Sequence, residues 1–118
     1  MKIHHLRNAT FVIESGANYI LVDPMLCDKG VLPPFARFKH QPKLNPLVSL
    51  PDNAIKLFNK ITHCLITHSQ KFGIKSLQHT DHLDAVGESF LIDKNIPITT
   101  RKQDATYLGK QGLILKLV

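Results

Sequence analysis

Between Thr67 and Asp84 the chain reads THSQKFGIKSLQHTDHLD. His68, His79, Asp81 and His82 are metal-ligand types. Imidazole and carboxylate suit zinc, and in mixed sites iron or manganese. With the nine residues Gln70 to Gln78 set aside, the stretch becomes T-H-S-H-T-D-H-L-D, a His-x-His-x-Asp-His pattern. A His-x-His step at a strand end aims both rings to one side, because side chains repeat every second residue. The Asp-His that follows turns into a helix and can face a second ion. Two ions a few ångströms apart could hold and activate a bridging hydroxide for attack on an ester, lactone or phosphodiester.

The segment Gln70 to Gln78 is polar, with Phe72, Ile74 and Leu77 interspersed, and Gly73 argues against a rigid helix. It reads as an insert that forms an exposed loop or a strand-like flap. Moving His79 from two to eleven residues after His68 raises loop-closure entropy by only about 1.5 kcal/mol. Zinc binding at a full structural site is worth about 10–16 kcal/mol. The insert therefore need not keep the two imidazoles from one ion. It does remove the strand-end geometry that would aim them, and ligand placement tolerates about half an ångström.

The elements that must position these residues can be read along the chain. Lys2 to Leu6 is a short strand. Thr10 to Glu14 and Tyr19 to Val22, joined by Ser15-Gly16-Ala17-Asn18, form a hairpin. Asp23-Pro24 ends it. Residues 24–51 hold six of the seven prolines and read as one long irregular loop, of the kind that is functional or disordered in compact domains. Phe35, Phe38, Leu44 and Leu47 suggest that part of it packs down as a wall of a substrate cleft. Asp52 to Lys60 reads as a helix capped by Asp52 or Asn53, with Ala54, Ile55 and Phe58 inward. Thr62 to Thr67 is a central strand with Cys64 and Ile66 on one face and His63 and Leu65 on the other. His68 then emerges at its carboxyl end, where open α/β sheets place their ligands. Leu83, Val86, Phe90 and Leu91 predict a helix over about 82–92, with Asp81 as its cap; capping and metal binding are compatible. Ile96 to Thr99 is a strand that Pro97 places near an edge. Gln103 to Lys110 is a helix closed by Gly109 or Gly112, and Leu113 to Val118 a final apolar strand.

Composition bounds the reading. A chain of 118 residues that is 43% hydrophobic can build one small domain with its own core. No apolar run is long enough for a transmembrane helix, and no secretory signal is predicted. Cys27 and Cys64 are far apart and read as reduced thiols of a cytoplasmic protein, although spacing alone leaves a disulfide open. The net charge of +6 comes from scattered residues whose one adjacent pair is Arg101-Lys102. It reads first as a solvated surface, with an anionic small-molecule substrate, or less readily nucleic acid, as the partner it would suit. His4, His5, His40 and His63 lie outside the motif and read as surface or structural residues. Asp23 is either a turn residue before proline or a residue that orients metal ligands through hydrogen bonds.

Several stretches together resemble the metallo-β-lactamase superfamily of metal-dependent hydrolases, in its lactonase-like branch. They are Met1-Lys2-Ile3-His4-His5-Leu6-Arg7-Asn8-Ala9-Thr10, Tyr19-Ile20-Leu21-Val22-Asp23-Pro24, Asn45-Pro46-Leu47-Val48 and Leu65-Ile66-Thr67-His68, which leads into the split motif. The resemblance runs along almost the whole chain and covers the N-terminal half of such proteins. It implies an α/β fold, half of an αββα sandwich, as a single incomplete domain over 1–118. It also implies His68 and His79 on one metal, Asp81 and His82 on a second, Asp81 as the catalytic candidate, and Asp23 beneath the metals. Further ligands come from later in such chains, and no histidine follows His82 here. Two donors per ion fall short of the three that catalytic zinc uses. The resemblance therefore implies partial occupancy and impaired activity. The alternative is a non-catalytic remnant or interaction module, with a sheet face left open for self-association.

Overall fold

Residues Thr10–Ser15 (β2) and Asn18–Val22 (β3) are rich in β-branched and aromatic side chains. They pair antiparallel across a tight turn in which Gly16 takes φ +58°. Lys2–Arg7 (β1) pairs antiparallel with β2 on the other side. The computed structural model describes residues 1–32, 43–71, 74–78, 82–110 and 112–117. After the meander, three helices alternate with strands. They are α1 (Ala54–Phe58), β4 (His63–Ile66), α2 (Ala85–Asp93), β7 (Ile98–Thr100), α3 (Lys102–Lys110) and β8 (Leu115–Leu117). Two short strands, β5 (Gln70–Lys71) and β6 (Ile74–Gln78), lie between β4 and α2. The main sheet runs β1-β2-β3-β4-β7-β8, parallel from β3 onward, and β5-β6 is a separate antiparallel pair. Helical crossovers are what parallel neighbours require.

Register fixes which face is covered. Val12, Leu21, Cys64 and Ile98 lie in one row across four strands, and each is at most 1% exposed. Ala54 and Leu57 of α1 pack with Leu6, Val12 and Leu21. Leu91 of α2 and Leu108 of α3 pack with Cys64, Ile66 and Ile98. The alternate row, Ile3, Ile13, Ile20 and His63, points to the opposite face, and Ile3 is 63% exposed. A shallow depression lined by Ser15, Asn18, Ile20, His63, Leu65 and Thr99 lies on that side.

Several expected details shift. Helix α1 is only five residues long, so Ala54 and Leu57 take the inward positions and Ile55 faces solvent. Neither expected cap acts through its side chain: Asn53 occupies the N-cap position without a side-chain bond. Helix α2 begins after Asp84, not Asp81; Asp84 caps it by accepting the Gly87 N–H at 2.7 Å. Strand β7 is internal despite Pro97. That proline precedes the strand and contributes its carbonyl, which accepts the Cys64 N–H at 2.9 Å, so its missing N–H breaks no rung. Leu44 and Leu47 are exposed. Among the described residues of the loop, Met25, Leu26 and Cys27 at its start and Asn45-Pro46 further on are the parts that pack down. Phe35, Phe38 and His40 lie outside the described residues, as does Val118. Cys27 and Cys64 are both free and buried. Among the described residues no helix is long and apolar enough to cross a membrane.

Candidate metal centre

At the carboxyl ends of β3 and β4 a buried carboxylate gathers the residues around it. Asp23 follows β3 directly and is 2% exposed. Its φ of +44° is left-handed, a conformation that non-glycine residues hold only where the surroundings determine it. Those surroundings are explicit. The Asp23 N–H donates to the Leu65 carbonyl at 3.0 Å, extending the β3–β4 ladder. The Thr10 hydroxyl donates to the Asp23 carbonyl at 2.6 Å and accepts the Met25 N–H at 3.0 Å. Buried Arg7 donates to the carbonyls of Met25, Cys27 and Val48. Asp84 accepts the Cys27 N–H at 2.8 Å through one oxygen while it caps α2 with the other. Gly87, in the first turn of α2, stands so close to the Asp23-Pro24 turn that an added Cβ would lie 2.1 Å from the Pro24 carbonyl oxygen.

The Asp23 carboxylate is thus aimed at β4 and at His82. Oδ1 accepts the Thr67 N–H at 2.7 Å. Oδ2 accepts the Thr67 hydroxyl at 2.7 Å and His82 Nδ1–H at 2.7 Å. The Thr67 hydroxyl has one proton, which goes to the carboxylate, so its oxygen can accept His68 Nδ1–H, 3.2 Å away. These contacts suit imidazoles that carry a proton on Nδ1, which leaves Nε2 of each ring as the atom that can face an ion. This is the tautomer of metal-binding histidines that a carboxylate or hydroxyl orients from behind. The two rings lie with centroids 3.9 Å apart, tilted by 44°.

A second buried carboxylate holds the residue after His68. Asp104, in the first turn of α3, is 0% exposed. Its Oδ1 accepts the Ser69 N–H at 3.2 Å and the Ser69 hydroxyl at 2.8 Å; its Oδ2 accepts from Arg101 Nε. Burial alone would raise the Asp104 pKa. Hydrogen bonds from Arg101 and Ser69 outweigh that and hold it below the ordinary carboxyl value. Neither cysteine is a ready thiolate ligand: burial, then a hydrogen bond to Asp84, pushes the Cys27 thiol up to about 12, and burial pushes Cys64 well up.

Of the residues singled out from the sequence, the structure brings together Asp23, His68 and His82. His79 and Asp81 lie outside the described residues, and among the described residues no group of three or more metal-donor side chains forms. The chemistry of the two placed imidazoles fits a divalent transition metal. Within the segment Gln70 to Gln78, two antiparallel strands pair Gln70 with Gln78, so the chain at Gln78 returns to the level of Gln70. Thr67, Ser69, Asp84 and Asp104 escaped sequence reasoning as parts of the site. Asp104 carries one usable signal, an Asp three residues after Arg101 at the start of an amphipathic stretch, but its partner Ser69 is 35 positions away.

A mixed sheet with helices on one face and an aspartate-buttressed histidine pair at its strand ends is an α/β fold of the metallo-β-lactamase type. The chain is 33% identical over 113 residues to the UPF0173 protein YddR of Bacillus subtilis (strain 168), a match that covers 95% of this chain and 41% of that protein. Among solved structures it is similar to an isothiocyanate hydrolase from Delia radicum gut bacteria, at 29% identity and TM-score 0.79, over 100% of this chain and 42% of that one. It is also similar to a possible metal-dependent hydrolase from Veillonella parvula DSM 2008, at 26% identity and TM-score 0.80, over 98% of this chain and 41% of that one. The chain thus spans less than half the length of each. No protein-family model matches it.

Proposed function

We propose that this chain carries the strand-end portion of the metal site of a metal-dependent hydrolase. His68, His79, Asp81 and His82 are the donors, zinc, iron or manganese the candidate ions, and Asp81 also the catalytic candidate. The observation that carries the reading is the Asp23 relay, which donates nothing to a substrate but fixes His82 directly and His68 through Thr67. A divalent ion held there supplies Lewis-acid polarisation of the scissile bond and an acidified water. The chain's own part is to keep both rings in the Nδ1–H tautomer and to hold Thr67 against the strand end. Lactones, esters, phosphodiesters and isothiocyanates all present an electrophilic centre suited to that chemistry, and the net charge of +6 favours an anionic small molecule. Two free, buried thiols support a reducing, cytoplasmic setting.

Metal analysis of the purified chain, with turnover measured on those four substrate classes, tests the reading. Bound zinc, iron or manganese, lost together with any hydrolysis in His82→Ala, supports it. A chain that takes up none of the three ions at millimolar concentration overturns it. The less covered sheet face among the described residues favours a second reading, a non-catalytic module that associates with itself. Ile3, Ile13 and Ile20 form an apolar row there, opposite the helix-covered core.

A further inference from the structure

His68 lies between two anchored neighbours. Thr67 is held through its N–H and hydroxyl by Asp23, which belongs to the β3 end. Ser69 is held through its N–H and hydroxyl by Asp104, which belongs to α3. The first anchor lies within the strand-end cluster. The second reaches across from another element, and both Ser69 and Asp104 are 0% exposed. Nothing in the sheet ladder demands it: β4 ends at Ile66. Ser69 is also the root of the β5–β6 pair, because Gln70, the next residue, pairs with Gln78, and His79 follows Gln78 in the chain.

From this we infer that Asp104 is a positioning residue for the candidate metal site, acting through Ser69. It fixes the peptide that follows His68 and the point from which the Gln70–Gln78 pair departs and returns. Arg101 completes the device from the residue before α3. It ion-pairs with the second Asp104 oxygen, so the carboxylate presents Oδ1 to Ser69 in one orientation. Two carboxylates from different elements then hold the residues on either side of His68. This makes up for the strand-end geometry that the nine residues Gln70 to Gln78 would otherwise remove. The assignment rests on the metal-site reading, and the experiment below separates the two.

The experiment uses the whole chain and the variants Ser69→Ala, Asp104→Asn and Leu108→Ala. The last removes core packing from α3 without touching Ser69. Imidazole ¹H–¹⁵N spectra without metal report the tautomers of His68 and His82 and the inter-ring cross-peak expected from their 3.9 Å separation. Titration with Co²⁺ reports affinity through the ligand-field spectrum. In folded Ser69→Ala and Asp104→Asn the cross-peak should weaken and Co²⁺ affinity fall roughly tenfold, the lower end for loss of an outer-shell partner. Leu108→Ala should lower the melting temperature yet keep both signals. Wild-type cross-peak and Co²⁺ affinity in folded Ser69→Ala would overturn the assignment, and that variant decides if Asp104→Asn does not fold. If the wild-type chain binds no Co²⁺, the metal-site reading fails, and the cross-peak alone decides for or against Asp104.

Discussion

Asp23 shows what one residue does when every atom of it is used. Its backbone N–H and carbonyl are both taken, and its carboxylate accepts from Thr67 twice and from His82 once. Asp23→Asn keeps the shape but swaps one oxygen for an NH₂ that faces donors. We expect a loss of about 2–3 kcal/mol in urea unfolding, the cost of leaving buried partners unmatched. His82 should respond in a characteristic way. Its Nδ1 becomes an acceptor from the amide, and the proton moves to Nε2, the atom a metal would need. Imidazole nitrogen shifts check this; an unchanged His82 tautomer would show that Asp23 does not set it. The sequence alone does not separate a turn residue from a ligand-orienting one at Asp23, because Asp before Pro is common in turns. The distinction lies in a 59-residue separation from His82 that no local pattern encodes.

At the scale of elements, α2 and α3 act as rigid backs to the two carboxylates. The first turn of α2 presses Gly87 against the Pro24 carbonyl. Ala for Gly inside a helix ordinarily gains up to about 1 kcal/mol. Here the sign should reverse, with Gly87→Ala destabilising by about 1–3 kcal/mol, because the obstructing atom is backbone beside the left-handed Asp23. Thermal and urea unfolding measure this. For α3 the prediction concerns pH. The Asp104 carboxyl sits below its ordinary value in the folded chain. The folded state therefore binds fewer protons than the unfolded chain in that range. The stabilisation is complete above the unfolded pKa of about 3.9 and is lost as pH falls through the lower folded value. Urea midpoints taken from pH 7 down to strongly acid should show the gap between wild type and Asp104→Asn closing in that window. A gap independent of pH would mean that the carboxylate charge contributes nothing. Helix α2 also shows where periodicity misleads. The apolar spacing around Leu83 and Leu91 is genuine and both are buried, but Leu83 reaches the core from before the helix, so the cap falls at Asp84.

Among the described residues, helices cover one side of the sheet more fully than the other. The row Val12, Leu21, Cys64, Ile98 is sealed by three helices, while the row through Ile3, Ile13 and Ile20 is not equally sealed. Apolar rows of this kind favour association. We expect the chain to sediment as larger species with rising concentration, and Ile3→Lys to shift it toward the monomer. Ile3 is 63% exposed on an edge strand, so the charge costs the fold little. Concentration-independent sedimentation of the wild-type chain would remove self-association through this face.

The order of strands and helices, the hairpin over residues 10–22 and the alternation of Cys64 and Ile66 against His63 and Leu65 follow from the sequence by itself. Each depends on side-chain periods of 2 and 3.6 and on turn residues a few positions apart. Which carboxylate stands behind which histidine was settled only by tertiary structure. Asp23 reaches Thr67 and His82 across 44 and 59 positions, and Asp104 reaches Ser69 across 35. Those meetings depend on which strands lie side by side, since β3 against β4 and β4 against β7 set the carboxyl ends next to one another. Residue spacing carries ligand type, and the stacking of elements carries ligand aim.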